Sequence, residues 1–411
     1  MTTRTQFLDL PNELFPYIFQ YLKSSKLVEV FSKIPCNRIQ SLIQSHIYHL
    51  DISSESYEWV ETYLADLFSR QIIYAIRLQD KHINYLSKYV FQTDIQSVHI
   101  LNSDWSTDIL KNGLDQLRQT IRQLTITFTY PHGKGDIANH LFRSDSRIEC
   151  LNITGRFLYF DMTDIEICSK LTNLSIELEG MRRLFIILEH LPQLTDLKVK
   201  FRNEDRMVEP VISTNRLNSN SILNRVIFTG STKYFEHLEI FFTYFGHSIE
   251  YLSIQLDLMY SIIDGKRLER ELLTKMPRLS SIDLLIHSTA TYCEPLSIET
   301  FQSSIWQQFH PVVYCYDIQA HEHTLFTLPY KFDRVNFGFV LFELLYRYFC
   351  FSSNIFRINV CQLGHRINRL HFVLIVYTVF HLFQQHLLHW KRLNLLRNIF
   401  LIFELSKSFN Q

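Results

Sequence analysis

The sequence predicts an α/β chain: short helices first, then a long middle where strands and helices alternate, then a helical and apolar tail. Three observations predict it. Apolar residues recur at helical spacing over the first fifty residues, a strand-like triplet repeats ten times between Ile47 and Leu284, and past Val335 both the triplet and proline stop.

The composition sets the limits. A length of 411 residues fits one or two folding units. Apolar residues at 46% and charged residues at 20% exclude wholesale disorder. Lys plus Arg balances Asp plus Glu at 41 each, so no global field draws the chain to nucleic acid or to an anionic membrane. The 33 Phe and 21 Tyr call for a large buried core.

The first helices follow from spacing. Asp9 and Asn12 offer capping oxygens beside Pro11. Leu14, Ile18 and Leu22 recur every four residues, and Phe15 and Phe19 widen that stripe. Ser24 and Ser25 interrupt it. Leu27, Val30, Phe31 and Ile34 form a second stripe, stopped by Pro35, and Ile39, Leu42 and Ile43 a third. Three helices this short cannot bury all these side chains against one another. The surplus apolar face either covers the rest of the chain or docks a partner.

The middle repeats the frame apolar-x-x-apolar-x-apolar. Its central residues are Leu50, Ile76, Val98, Leu124, Leu151, Leu174, Leu197, Val226, Leu252 and Ile282, spaced 22 to 30 residues apart. Each frame reads as a half-buried strand, and helical patterns lie between frames at 58–68, 106–117, 181–191, 234–245 and 267–276. A period in this range is that of strand-plus-helix repeats; an ordinary α/β domain is the other reading. Alternation puts Thr125, Thr127, Asn152, Ser175, Glu177, Lys198, Lys200, Ser253, Gln255 and Asp283 on one polar strand face of mixed sign. That face suits a protein or peptide better than a phosphate backbone.

Residues 288–334 break the period with Pro295, Pro311 and Pro329 and read as a helix over 298–309 followed by a cover for the last repeat. Residues 335–411 carry eight basic residues against two acidic ones among many Phe, Leu, Ile and His. The longest clean apolar run, 372–380, falls short of the ~20 residues a membrane span needs. The tail reads as an amphipathic cap or interfacial helix pair, with a membrane span as the alternative.

Catalytic chemistry is absent from the motifs. His321, Glu322 and His323, and the pair His386 and His389, lack a completed ligand set. Residues 131–136 hold two glycines and a lysine without the Gly-Lys-Ser/Thr of a phosphate loop. The seven cysteines form no Cys-x-x-Cys pair, and the first residues lack a signal-peptide run. A non-catalytic cytoplasmic or nuclear protein without cofactor or metal is expected.

The run Leu10-Pro11-Asn12-Glu13-Leu14, then Ile18-Phe19, Tyr21-Leu22, Leu27 and Phe31-Ser32, resembles an F-box. With the repeats behind it, the chain resembles F-box proteins with degenerate leucine-rich repeats. The resemblance implies a three-helix F-box over 1–50, an irregular leucine-rich-repeat horseshoe over 51–287, a C-terminal cap over 288–334 and a helical tail over 335–411. It implies that Leu10, Pro11, Leu14, Ile18 and Leu22 dock a Skp-type adaptor and, through it, a cullin. The chain would then be the substrate-recognition subunit of an SCF-type ubiquitin ligase. Its target would lie on the face of Asn152, Ser175, Glu177, Lys198, Lys200, Ser253, Gln255 and Asp283. Two departures stand out. The third helix offers Arg38, Ile39 and Leu42 where the family often has Trp, and Ser103, Thr129, Arg156, Glu179, Arg202, Ser231, Asp257 and His287 occupy the usual Asn or Cys position after each strand. Without an asparagine ladder, backbone groups must be satisfied otherwise. The alternative function is a non-ligase leucine-rich-repeat scaffold, attached to a membrane through its tail.

Overall fold

A computed structural model describes residues 10–31, 34, 36–69, 73–89, 95–101, 108–128, 134–135, 137–155, 159–160, 165–202, 222–233, 235–258, 264–288, 298–301, 303, 305–309, 312–317, 322–327 and 356–361. All belong to one of the chain's two units, Met1–Cys361.

The N-terminal apolar spacing becomes helices. A 3₁₀ turn, Asn12–Leu14, leads into α1 (Phe15–Phe19), and α2 (Ser24–Phe31) and α3 (Asn37–His46) come next. Pro16 sits in the first turn of α1, where its fixed φ suits the helix. Asn12 does not cap. Its Oδ1 accepts from Arg38 Nε at 2.6 Å, Arg38 also donates to the Leu10 carbonyl, and the guanidinium lies 5.6 Å from the Phe15 ring. An α3 side chain thus holds the entry to α1. Ser24 and Ser25 begin α2, and Ser24 ties it to the first strand of the sheet: its Oγ accepts the Asp51 N–H at 2.9 Å. Asp9 lies outside the described residues.

The fold is mixed α/β with a mostly parallel sheet. Its strands are β1 (His49–Asp51), β2 (Ala75–Gln79), β3 (Ser97–Leu101), β4 (Gln123–Phe128), β5 (Cys150–Gly155), β6 (Asn173–Leu178), β7 (Asp196–Phe201), β8 (Arg225–Thr232), β9 (Tyr251–Leu258) and β10 (Ser281–Ser288). Each pairs in parallel with the next in chain order. The central residues of the ten triplets stand in one register from Leu50 through Ile76, Val98, Leu124, Leu151, Leu174, Leu197, Val226 and Leu252 to Ile282. All ten are buried. A constant register results because a slip of one residue would turn every apolar side chain to the other face.

A second ladder joins the repeats where the strands begin. The carbonyls of Tyr48, Tyr74, Gln96, Arg122, Glu149, Thr172, Thr195, Asn224 and Glu250 each accept two successive N–H groups of the next repeat, at 2.8–3.2 Å. This row of shared carbonyls satisfies backbone groups that lie outside the strand pairing.

Between the strands run α4 (Tyr57–Ser69), α5 (Ile83–Tyr89), α6 (Asp108–Leu117), α7 (Ile137–Leu141), α8 (Met181–Leu188), α9 (Glu236–Phe245) and α10 (Gly265–Glu271), the last continued by a 3₁₀ turn, Leu273–Lys275. Helices α5 and α7 go beyond the sequence expectation. Asp264 caps α10, its Oδ1 accepting the Arg267 N–H at 2.6 Å. The abundant Phe fills the core: Phe228 on β8 meets Phe241 of α9 at 5.0 Å and Phe201 of β7 at 5.4 Å.

The C-terminal end departs from expectation. Residues 298–309 hold two 3₁₀ turns, Ile298–Phe301 and Trp306–Gln308, where one helix was expected. Beyond them β11 (Val312–Asp317) and β12 (Glu322–Thr327) form an antiparallel hairpin, and β12 pairs with β10. Strand β13 (Phe356–Cys361) pairs antiparallel with β11 and ends a sheet of thirteen strands. It falls in the tail expected to be helical. The alternation Phe356, Ile358, Val360 against Arg357, Asn359, Cys361 accounts for the strand. The rest of 335–411 lies outside the described residues.

Candidate functional site

Two surfaces hold the residues singled out by the sequence. On the first, residues 14–22, with α1 at their centre, divide their side chains between two faces. Phe15 and Phe19 are fully buried, their rings 5.7 Å apart, and Phe19 lies 5.6 Å from Phe31 of α2. These aromatics are the fully buried part of the inner face. Leu14 (43% exposed), Tyr17 (65%), Tyr21 (83%) and Leu22 (40%) therefore stay outside, with Val30 of α2 (56%). Of the five residues expected to meet a partner, Pro11, Leu14 and Leu22 are exposed, while Leu10 and Ile18 are half-buried and pack on the core. Val30 shares its stripe with Leu27 and Phe31, but it is exposed where they are buried. Tyr17 was missed, and Tyr21 was named in the motif but not among the residues expected to meet a partner. Their signal is helical spacing from Leu14, at i+3 and i+7. An exposed cluster of large apolar and aromatic side chains is the surface signature of a protein interface.

The second surface is the polar strand face. Register sets Asp51, Arg77, His99, Thr125, Asn152, Ser175, Lys198, Ile227, Ser253 and Asp283 in one row across ten strands. Lys198 and Lys200 are exposed, and Asn152, Ser175 and Gln255 are half-buried. Three residues expected to be open are buried: Glu177, Ser253 and Asp283. Bonding partners on neighbouring strands explain two of them. Glu177 Oε1 lies 2.7 Å from Arg202 Nε and 3.1 Å from Lys200 Nζ, and Oε2 accepts the Gly155 N–H at 3.1 Å. Burial pushes the Glu177 carboxyl up, but bonds from Arg202, Gly155 and Lys200 outweigh it and hold the group below the usual carboxylate range. Asp283 accepts from Tyr251 Oη at 2.8 Å, and Arg225 lies over that tyrosine ring at 5.0 Å. Ser253 stands in the row between Ile227 and Asp283.

At the other end of the row Arg77 pairs with Asp51 at 3.7 Å. Burial, helped by Arg77, pushes the His99 imidazole down, and its Nε2 lies 3.2 Å from Thr127 Oγ1. On the helical side, Tyr57, Asn84, Tyr85, Ser87, Lys88 and Gln116 line an open cavity of about 560 Å³.

Among the described residues no three His, Cys, Asp or Glu side chains stand together as a metal set. His321, His386 and His389 lie outside those residues, and His323 is buried on β12. No described helix is long and apolar enough to cross a membrane. No protein-family model matches the chain. No curated protein matches it either.

Proposed function

We propose that this chain is the substrate-recognition subunit of an SCF-type ubiquitin ligase. In this reading α1, α2 and α3 form an F-box that docks a Skp-type adaptor. The strands and helices behind them form a horseshoe of irregular leucine-rich repeats whose polar strand face holds the target. Cullin, RING protein and conjugating enzyme come through the adaptor, so the chain itself needs no catalytic group.

The observation that carries the reading is the division of side chains along residues 14–22, around α1. Phe15 and Phe19 supply the internal packing, which leaves Leu14, Tyr17, Tyr21 and Leu22 on an outer face. Such a face is costly to leave in water unless a partner covers it. The repeats favour the horseshoe through their single register and their row of shared carbonyls. Co-purification of the full chain with a recombinant Skp-type adaptor tests the reading: the two elute together if it is right and separately if it is wrong.

A further inference from the structure

We propose that the strand face at β7 and β8 binds an extended acidic segment of a protein, with Lys198 and Lys200 pairing with carboxylates two residues apart. The inference rests on reading this face as the target site and adds the chemistry of the target. Lys198 and Lys200 occupy alternate positions of β7, and Arg202 continues the alternation, so the three cations share one face. Arg225 joins them from β8, in register with Asp196.

The acids facing this group are mostly committed. Glu177 is buried and held by Arg202, Lys200 and Gly155. Asp196 accepts from Thr195 Oγ1 at 3.0 Å. Further along the sheet Asp283 is bonded to Tyr251, and Asp257 lies 3.8 Å from His287. The Lys198 side chain, by contrast, is exposed and makes no hydrogen bond or ion pair with the described residues. Lys200 is 61% exposed and shares the Glu177 carboxylate with Arg202. Arg225 rests on the Tyr251 ring. Positive charge is therefore available at the middle of the row.

The spacing selects the ligand. Two residues along a strand span roughly 6.6 Å, which is also the distance between alternate side chains of an extended peptide laid along β7. Ser175 and Thr229 flank the two lysines in register and offer hydroxyls to a peptide backbone. Ile227, beside Lys198, adds an apolar contact. A nucleic-acid backbone would need cations spread along its track, whereas β4 and β5 present Thr125, Thr127, Asn152 and Thr154 there.

The test uses the full chain and a fluorescein-labelled synthetic peptide with Glu at alternate positions, compared with its Gln counterpart. The Glu peptide should bind with strong salt dependence and the Gln peptide at least about tenfold more weakly. Lys198→Glu, alone or with Lys200→Gln, should weaken binding by a similar factor, and Lys266→Glu on α10 should change nothing. A peptide with Lys in place of Glu should bind the Lys198→Glu chain better than wild type, which a merely misfolded variant would not do. Absence of binding by wild type, equal binding of the Gln peptide, equal loss in Lys266→Glu, or displacement of the peptide by a lower concentration of single-stranded oligonucleotide overturns the proposal. Adaptor co-purification on the same samples separates the readings. Peptide binding without adaptor sinks the ligase assignment alone, and adaptor binding without peptide binding sinks this proposal alone.

Discussion

Ser25 Oγ donates to Glu55 Oε1 at 2.7 Å and so joins α2 to the segment between β1 and α4. Ser25 is fully buried, and its neighbour Ser24 holds the Asp51 backbone of the terminal strand. The N-terminal helices are thus fastened to the first edge of the sheet, an edge that an open sheet must cover. Ser25→Ala should cost about 1 kcal/mol, because the bond between the buried hydroxyl and the half-buried Glu55 carboxylate is lost. Urea unfolding of the variant should show a lower midpoint with an unchanged slope; an unchanged midpoint would mean that the bond contributes nothing.

The triplet register makes a contrast within adjacent positions. Leu151→Ala, Leu174→Ala, Leu197→Ala and Leu252→Ala each empty a buried site and should cost roughly 2–5 kcal/mol. Asn152→Ala and Ser175→Ala, half-buried on the polar face, should stay within about 0.5 kcal/mol of wild type. Thermal melts of the six variants check this, and equal losses in the two groups would show the register to be wrong.

Gly230 should be intolerant for a different reason. Its φ is +101°, and an added Cβ would sit 1.9 Å from the Phe201 carbonyl oxygen. Neither the backbone angle nor the neighbouring strand can give way cheaply. Gly230→Ala should cost at least about 2 kcal/mol, read as a fall in melting temperature, although it adds only one methyl group.

What was legible in the sequence was whatever a local pattern encodes. The ten strands from β1 to β10 announce themselves because each needs three apolar residues at fixed spacing, and Leu50 through Ile282 supply them. The hairpin of β11 and β12 was not legible. Val312–Asp317 is too rich in aromatics to show clean alternation, and its pairing is antiparallel where the repeats are parallel. The burial of Glu177 and Asp283 was hidden for another reason. Their partners, Arg202 just past the end of β7 and Tyr251 on β9, belong to neighbouring repeats, and nothing in a single strand's alternation names them. On α1 the apolar stripe was visible, but which half faced inward depended on Phe31 and Arg38 in the next two helices.

Glu177 gives the fold a dependence on acid. Its folded-state pKa lies below the unfolded value of 4.5, so its contribution to stability is complete above that value and is lost as pH falls through the lower one. Glu177→Gln should destabilise the protein at neutral pH by roughly 1–3 kcal/mol, through loss of charge-assisted bonds. It should also flatten the decline below pH 4.5. Parallel acid titrations of stability for variant and wild type would disprove the role.

The most direct measurement is co-purification of a Skp-type adaptor with wild type and with the double substitution Leu14→Asp and Leu22→Asp. Both leucines are at least 40% exposed, so the free variant should melt as wild type does. In a complex each Asp would place an unpaired charge in an apolar interface, a cost of several kcal/mol. Wild type should carry the adaptor and the double variant should lose it. A double variant that carries as much adaptor as wild type, or a wild-type chain that carries none, would contradict the account.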